Sequence, residues 1–212
     1  MDGSAAYGSA NFALGMDYLE AFVAGLNIGE DFTRISLFQY SSRSRKIYGR
    51  NFESNYTEVQ ADLVDLRNEY LGVNQNKMDY GIYMAYRNFN SYARDDSQKI
   101  GVTITNGAST PNSLPSFVNN YITEYEDYGI KWYAIGVGSN VVVSKLNILA
   151  SDPDSEHVFL AEDTSVEESV AAVAGSICEN GANRSFDPSD LDWGRRVRAS
   201  AGVTYYPGYE DF

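Results

Sequence analysis

The sequence has very little of what catalytic and metal sites commonly use, with one cysteine and one histidine in 212 residues. A single histidine argues against a Ser-His catalytic pair or a histidine-rich metal site, and we predict that His157 is an exposed residue on an edge strand. The chain has no glycine-rich phosphate loop with a lysine, and Gly136-Val137-Gly138 lacks the third glycine of a dinucleotide loop. These absences argue against an enzyme.

Basic charge and long apolar runs are also scarce. Lys and Arg number 16 against 29 Asp and Glu, which gives a formal net charge of -13. We therefore expect neither a nucleic-acid backbone nor an anionic membrane as the partner. There is no run of 18 apolar residues, so no transmembrane helix is predicted. The chain opens Met-Asp-Gly, without the basic and apolar segments of a signal peptide, and taken alone this indicates the cytosol.

Strand and helix patterns alternate along most of the chain. The apolar spacing predicts helices over residues 11–26, 56–70, 79–92, 113–128, 142–150 and 165–178. Runs rich in β-formers predict strands over residues 32–40, 45–50, 100–105, 130–137 and 157–160, the first two as an edge hairpin. The alternation is typical of a doubly wound α/β fold, with a mainly parallel central sheet flanked by helices.

The chain is long enough for one such core and a short extension. We predict a single domain over residues 1–181. The apolar period then fails, and residues 182–212 are interpreted as a linker or the start of a further module.

Two polar turns follow predicted buried strands, Asp2-Gly3-Ser4 at the start of the chain and Asn106-Gly107 after the strand over residues 100–105. In an open α/β sheet, the loops that leave the carboxyl ends of adjacent central strands form the crevice in which ligands bind. We therefore expect any functional site to lie where these two turns meet.

The residues around these turns resemble those of the von Willebrand factor type A domain, also called the integrin I-type domain, which is a Rossmann-like fold. That family begins with Asp-x-Ser-x-Ser at the end of its first strand. The matching residues here, ahead of a predicted helix, are Asp2, Gly3, Ser4, Gly8, Asn11 and Phe12. Two further signatures stand in the family's order, Met78-Asp79-Tyr80-Gly81 before a helix and Thr105-Asn106-Gly107 after a strand. The resemblance covers about residues 1–180.

The resemblance implies a metal-ion-dependent adhesion site, in which a divalent cation, usually Mg²⁺, is held by Asp-x-Ser-x-Ser, a threonine and a second aspartate. This sequence keeps Asp2 and Ser4, but Ala6, Met78 and Asn106 stand where Ser, Thr and Asp are expected. Mg²⁺ requires oxygen ligands in a near-octahedral array, and Ala6 and Met78 offer none. We predict that the site is vestigial, that no cofactor is bound, and that Asp2 instead accepts hydrogen bonds from loop amides.

Asn106, at one of the replaced positions, and Asp79, beside another, have other expected roles. We expect Asn106 to satisfy the turn in which it lies. Asp79 follows Met78 directly, and we expect its position to direct the carboxylate away from the site.

The resemblance also implies an extracellular setting. Related domains place a cysteine at the end of the last helix, bridged to one just before the first strand, so Cys178 is expected to form a disulfide with a partner outside this chain. The sequons Asn55-Tyr56-Thr57 and Asn183-Arg184-Ser185 make Asn55 and Asn183 candidate glycosylation sites.

In the resembled fold, the first aspartate ends a buried central strand of about six apolar residues, whereas only Met1 precedes Asp2 here. We therefore expect the first strand to be missing from this chain, leaving an apolar slot and two unpaired strand edges.

The function implied by the resemblance is a non-catalytic protein-binding or adhesion module of a secreted or matrix protein. Two alternatives stay open on the sequence alone. One is a nucleotide- or phosphate-handling enzyme of the doubly wound class, and the other is a purely structural spacer domain.

Overall fold

The computed structural model describes residues 1–42, 45–74, 77–108, 124–125, 127–162, 165 and 168–173. Most of the helix predicted over residues 113–128, together with Cys178, Asn183 and the tail from residue 182, lies outside the described residues. The elements in chain order are α1 (Ser9–Ala24), β1 (Ile35–Tyr40), β2 (Arg45–Glu53), α2 (Tyr56–Asn68), α3 (Met78–Tyr92), β3 (Lys99–Thr105), β4 (Ile130–Gly136), α4 (Val143–Asn147), α5 (Asp154–His157) and β5 (Val158–Leu160).

The strands form two sheets within the described part of the chain. The predicted hairpin is confirmed, because β1 pairs with β2 in antiparallel register from Leu37 opposite Tyr48 to Tyr40 opposite Arg45. The second sheet has the order β3-β4-β5 and is entirely parallel. The parallel sheet with flanking helices confirms the predicted doubly wound α/β fold.

The first residues of the chain lie between these two sheets. The amide of Asp2 donates to the carbonyl of Ile104 in β3 at 3.0 Å, and the amide of Gly3 donates to the carbonyl of Tyr40 in β1 at 2.7 Å. The backbone amide of Tyr40 in turn donates to the carbonyl of Met1 at 3.1 Å. Met1 and Asp2 therefore join the carboxyl ends of β1 and β3, and Asp2 runs parallel to β1.

Helices cover both faces of the sheets, as predicted. One apolar cluster is formed by α1 and α2 against the strands, and its members include Phe12, Met16, Leu19, Val59, Leu63, Leu66, Ile104 and Tyr133. The opposite cluster is formed by α3 and α4, and its members include Met78, Ile82, Phe89, Trp132, Ala134 and Leu146. Successive residues of β4 point to opposite faces of a strand, so Trp132 and Tyr133 fall into different clusters and the strand is buried on both faces.

The prediction for His157 is wrong. The strand predicted over residues 157–160 begins one residue later, and His157 ends the short helix α5 with only 3% of its surface exposed. Its Nδ1 lies 3.0 Å from the carbonyl oxygen of Pro153, and its ring packs on Tyr133 with the ring centroids 4.9 Å apart. A local hydrogen bond and an aromatic contact thus satisfy a buried imidazole.

Two helix starts carry the side-chain caps that stabilise exposed amides. Asn55 precedes α2 and accepts from the amide of Thr57 at 2.9 Å. Ser165 and Glu168 form a reciprocal pair, in which each side chain accepts from the other residue's amide, at 3.2 and 2.9 Å. Residues 168–173 that follow are helical. Among the described residues, no helix is long and apolar enough to cross a bilayer.

Candidate functional site at the carboxyl edge of the sheet

The two polar turns singled out in the sequence meet at the carboxyl edge of the sheet. The amide of Val142, after β4, donates to the carbonyl of Asn106 at 2.8 Å, which joins the loops that follow β3 and β4. The first turn is tied to the loop after α2, because Ala5 donates to the carbonyl of Val73 at 2.9 Å. The loop cluster at the carboxyl edge thus comprises the first turn (residues 2–8), the loop after α2 (69–74), the loop after β3 (106–108) and the segment after β4 (137–143), joined in pairs by these hydrogen bonds.

Asp2 lies at the base of this loop cluster and is completely buried. Its Oδ1 accepts from the amide of Ser4 at 2.9 Å, the loop-amide hydrogen bond expected of it. Its Oδ2 accepts from Thr105 Oγ1 at 2.8 Å. Burial raises the pKa of Asp2, and the hydrogen bonds from Ser4 and Thr105 oppose that rise. Both carboxylate oxygens are thus bound by groups of the protein itself.

Thr105 belongs to the signature Thr105-Asn106-Gly107, but the sequence assigns it no role in the site, because it also ends a predicted strand. Its hydroxyl also accepts from the amide of Gly107 at 3.0 Å. It therefore bridges the carboxylate of Asp2 and the turn that follows β3. The signal that could have identified it is its place beside Asn106 in the second polar turn.

Ser4 and Asn106 also have protein partners. Ser4 Oγ accepts from the amide of Tyr7 at 3.2 Å. Asn106 Oδ1 accepts from the amide of Ala108 at 3.0 Å, and its Nδ2 donates to the carbonyl of Ser139 at 3.3 Å. Asn106 therefore satisfies its turn in the way an Asx turn does. The side-chain oxygens that the sequence retains at the metal positions are used for loop structure.

The other two metal positions hold side chains without oxygen. Ala6 is exposed at the surface of the first turn. Met78 is completely buried and packs with Tyr40 and Ile82 in the cluster under α3. The position expected to offer a hydroxyl to a cation therefore belongs to the apolar core.

Asp79 follows Met78 near this edge and has a carboxylate oxygen that is not used. Among the residues that the structure describes, its Oδ1 is buried without a hydrogen-bond partner. Burial raises the pKa of Tyr40 well above its usual value, and the charges of Asp2 and Asp79 both add to that rise. One spare carboxylate oxygen does not make an octahedral oxygen site, and no cluster of three or more His, Cys, Asp or Glu occurs in the described part of the chain. The residues present do not fit the Mg²⁺ site of the resembled family.

The chain's amino group lies beside Asp2 in the same buried region. It donates to the carbonyl of Phe38 at 2.9 Å. Burial lowers the pKa of the Met1 amine from 8.0 to about 6, although the negative charge of Asp2 acts in the opposite direction. A buried amine and a buried carboxylate thus stand next to each other where β1 and β3 are joined.

A helix-flanked parallel sheet with a loop cluster at its carboxyl edge defines the chain as a doubly wound α/β domain. The sequence profile of the von Willebrand factor type A domain matches residues 1–172, and the chain belongs to that family.

Curated relatives include several matrix proteins. Human Matrilin-1 is 27% identical over 168 residues, which cover 77% of this chain and 32% of the relative. The collagen alpha-1(XII) chain of Notophthalmus viridescens is 27% identical over 195 residues, covering 91% of this chain and 20% of the relative. The chain thus spans about a third or less of the length of these relatives.

Solved structures share the fold at low sequence identity. Manganese-loaded TRAP protein of Plasmodium vivax superposes with a TM-score of 0.69 at 14% identity, covering 84% of this chain and 71% of that one. Proximal thread matrix protein 1 from the mussel byssus, with zinc in its MIDAS motif (metal-ion-dependent adhesion site), superposes with a TM-score of 0.57 at 19% identity. The match covers 84% of this chain and 45% of that one. Both of these structures hold a metal ion, manganese in the first and zinc in the second.

Proposed function

We propose that this chain is a non-catalytic protein-binding module of an extracellular or matrix protein, and that it binds its partner without a metal ion. The observation that carries the metal-independent part is the internal use of the Asp2 carboxylate. Oδ1 is bound by the amide of Ser4 and Oδ2 by the hydroxyl of Thr105, at 2.9 and 2.8 Å. A cation that coordinated either oxygen would have to share it with the hydrogen bond that this oxygen already accepts.

Membership of the family and the matrix relatives support the adhesion role. They also support an extracellular location and a protein partner. The sequence independently supports a protein partner, since the net charge of -13 disfavours binding to polyanions such as nucleic acids.

The loop cluster at the carboxyl edge is the surface proposed for the contact. Its exposed side chains include the apolar ones of Ala6, Val73 and Val143 and the polar one of Asn140. Val73 exposes 38% of its surface and Val143 exposes 42%. Binding at such a surface would rest on apolar contact and backbone hydrogen bonds, which do not require a cation.

Binding of the immobilised chain to a panel of purified matrix proteins tests the proposal, with each measurement made in millimolar Mg²⁺ and again in EDTA. The expected result is binding of the same affinity in both buffers. Loss of binding in EDTA would contradict metal independence, and no binding to any member of the panel in either buffer would contradict the adhesion role.

A matched pair of variants locates the contact. Val143→Asp places a charge on the loop cluster, whereas Val64→Asp places the same charge on α2, where Val64 is 56% exposed. Only Val143→Asp is expected to weaken binding. Equal affinity of the two variants would contradict the assignment of the surface. Titration with nucleotides and inorganic phosphate provides the test of the enzyme alternative, and no saturable binding is expected.

A further inference from the structure

The loop after β3 carries an Asn-Gly pair, Asn106-Gly107, in which an asparagine is followed by a residue without a Cβ. In such a pair the backbone nitrogen of the glycine can attack Cγ of the asparagine, because no side chain shields that nitrogen. The turn requires this glycine. Gly107 has a φ of 77°, and a Cβ there would lie 3.0 Å from the carbonyl oxygen of Val142. The reactive pair is therefore built into the turn itself.

The nitrogen of Gly107 is bound by a hydroxyl whose orientation is fixed. Its N–H donates to Thr105 Oγ1 at 3.0 Å, and Thr105 Oγ1 in turn donates to Asp2 Oδ2 at 2.8 Å. Because the hydroxyl proton points to Asp2, a lone pair of Thr105 Oγ1 faces the N–H of Gly107. An acceptor in this position stabilises the positive charge that an amide nitrogen and its proton develop during attack on a carbonyl carbon.

The side-chain amide of Asn106 is held in a way that favours attack on its carbon. Asn106 Oδ1 accepts from the backbone amide of Ala108 at 3.0 Å, so a donor lies where negative charge develops on that oxygen. Asn106 Nδ2 donates to the carbonyl of Ser139 at 3.3 Å. Ser139 is exposed, so the nitrogen that leaves in such a reaction lies beside the protein surface.

We propose that Asn106 is a site of spontaneous deamidation, at which the folded chain converts this asparagine into aspartate or isoaspartate with water as the only co-reactant. In the first step, a bond forms between the Gly107 nitrogen and Cγ of Asn106, the Cγ–Nδ2 bond breaks, and the Gly107 amide proton leaves with Nδ2 as ammonia. In the second step, water opens the resulting succinimide ring at either of its carbonyl carbons. Asn106 is buried, but ring closure is intramolecular and needs no water.

The product changes the contact between the loop after β3 and the segment after β4. An ionised carboxylate only accepts hydrogen bonds, so an aspartate at position 106 cannot donate to the carbonyl of Ser139, and two oxygens face each other instead. The carbonyl of Asn106 also accepts from the amide of Val142 at 2.8 Å. Deamidation is therefore expected to loosen this side of the loop cluster. Neither the modification nor this local effect depends on what the loop cluster binds.

Peptide mapping by mass spectrometry, on the full chain aged at neutral pH, measures the conversion of Asn106. A synthetic peptide of residues 102–111 in the same buffer gives the rate of the pair without the fold. The folded chain is expected to convert Asn106 about threefold or more faster than the peptide, the factor to which one neutral hydrogen bond corresponds. A rate in the folded chain equal to or below that of the peptide would overturn the proposal, because the fold would then protect the pair.

A matched pair of variants tests the hydroxyl beside Gly107. Thr105→Val removes it and is expected to slow the conversion of Asn106 by about threefold or more, whereas Thr105→Ser retains it and is expected to restore the rate. A second Asn-Gly pair, Asn180-Gly181, lies outside the described residues and is the reference within each sample. Equal rates at Asn106 in the two folded variants would overturn the role given to Thr105. If Thr105→Val does not fold, the comparison of the parent chain with the peptide still decides.

Asn106→Asp reproduces the aspartate product and tests the effect on the loops. Amide hydrogen exchange at Val142 is expected to be faster in this variant, and in the aged parent chain, than in the fresh parent chain. Unchanged exchange at Val142 would contradict the proposed loosening.

Discussion

Thr105 Oγ1 donates a hydrogen bond of 2.8 Å to Asp2 Oδ2, across 103 positions of the chain. This contact fastens the end of β3 to the first turn at the point where the resembled family holds a cation. The chain therefore stabilises its buried carboxylate with a hydroxyl and an amide, and the loops of the carboxyl edge are positioned by hydrogen bonds.

The first prediction is that millimolar Mg²⁺ or Mn²⁺ raises the free energy of unfolding by less than about 0.5 kcal/mol, since a ligand well below its dissociation constant adds little. Weak binding is expected because Ala6 and Met78 offer no side-chain oxygen and Asn106 replaces a carboxylate with an amide. Thermal melting with and without the metal provides the measurement. A melting temperature that rises by several degrees and falls again with EDTA would contradict it.

The matched variant restores the oxygen ligands, as Ala6→Ser, Met78→Thr and Asn106→Asp together. Because Met78 is completely buried, this variant is expected to be less stable than the parent chain in EDTA. Mn²⁺ is expected to stabilise the variant and not the parent. If neither chain responds, the internal hydrogen bonds of Asp2 are strong enough to block the site even with all the ligands present.

The second prediction concerns the hydroxyl of Thr105. Thr105→Val keeps the shape of the side chain but leaves a buried carboxylate oxygen without its donor, so the unfolding free energy is expected to fall by about 1 to 3 kcal/mol. Thr105→Ser retains the hydroxyl and is the control. Urea denaturation of both variants gives the difference, and equal stabilities would show that the hydroxyl contributes little.

The third prediction is a pH dependence that arises at the Met1 amine. Its folded-state pKa is lowered from 8.0 to about 6, so between these values the unfolded chain binds more protons than the folded chain and stability rises with pH. Each pKa unit corresponds to about 1.4 kcal/mol. The gain in unfolding free energy from pH 6 to pH 8 is therefore expected to be about 2 kcal/mol.

Acetylation of the amino group removes the charge and provides the control for this pH dependence. The acetylated chain is expected to lose the rise in stability between pH 6 and pH 8 while other titrating groups are unchanged. Superimposable pH profiles of the two chains would show that the amine is not buried in solution.

The sequence predicted the helices better than the site. In α2, Val59, Leu63 and Leu66 are all buried. Their helical spacing places them on one face, and that apolar face packs against the core. The cap of Ser165 and Glu168 is likewise local, with partners three residues apart. Such features depend on neighbours in the chain, which the sequence shows directly.

Tertiary contacts explain what the sequence could not show. His157 is polar and precedes a strand, yet its burial depends on the carbonyl of Pro153 and the ring of Tyr133. The role of Thr105 depends on Asp2, at the other end of the fold. The replaced metal positions could be identified from the motif, but their new partners could not, because those partners come from other loops.

The fourth prediction is that Gly81→Ala destabilises the fold. A Cβ at Gly81 would lie 2.6 Å from Cγ and 2.7 Å from Cδ1 of the Tyr40 ring, and both residues are buried. Overpacking of this kind typically costs about 1 to 3 kcal/mol, which outweighs the higher helix propensity of alanine. Ser91→Ala, at an exposed position of α3, is the control and is expected to change stability little.

The last prediction is an N-linked glycan on Asn55 when the chain is secreted by eukaryotic cells. Asn55 is exposed at the start of α2, and its Oδ1 accepts from the backbone amide of Thr57 at 2.9 Å. The sequon and the helix cap thus use the same two residues through different atoms, because the cap needs no hydroxyl from Thr57. Thr57→Ala is therefore expected to abolish the glycan and keep the cap, whereas Asn55→Ala is expected to abolish both and to lower stability by about 1 kcal/mol. Glycosidase-sensitive mass on the parent chain, absent from both variants, would support the site. A parent chain of unmodified mass would contradict it, and equal stability of the two deglycosylated variants would show that the cap contributes nothing.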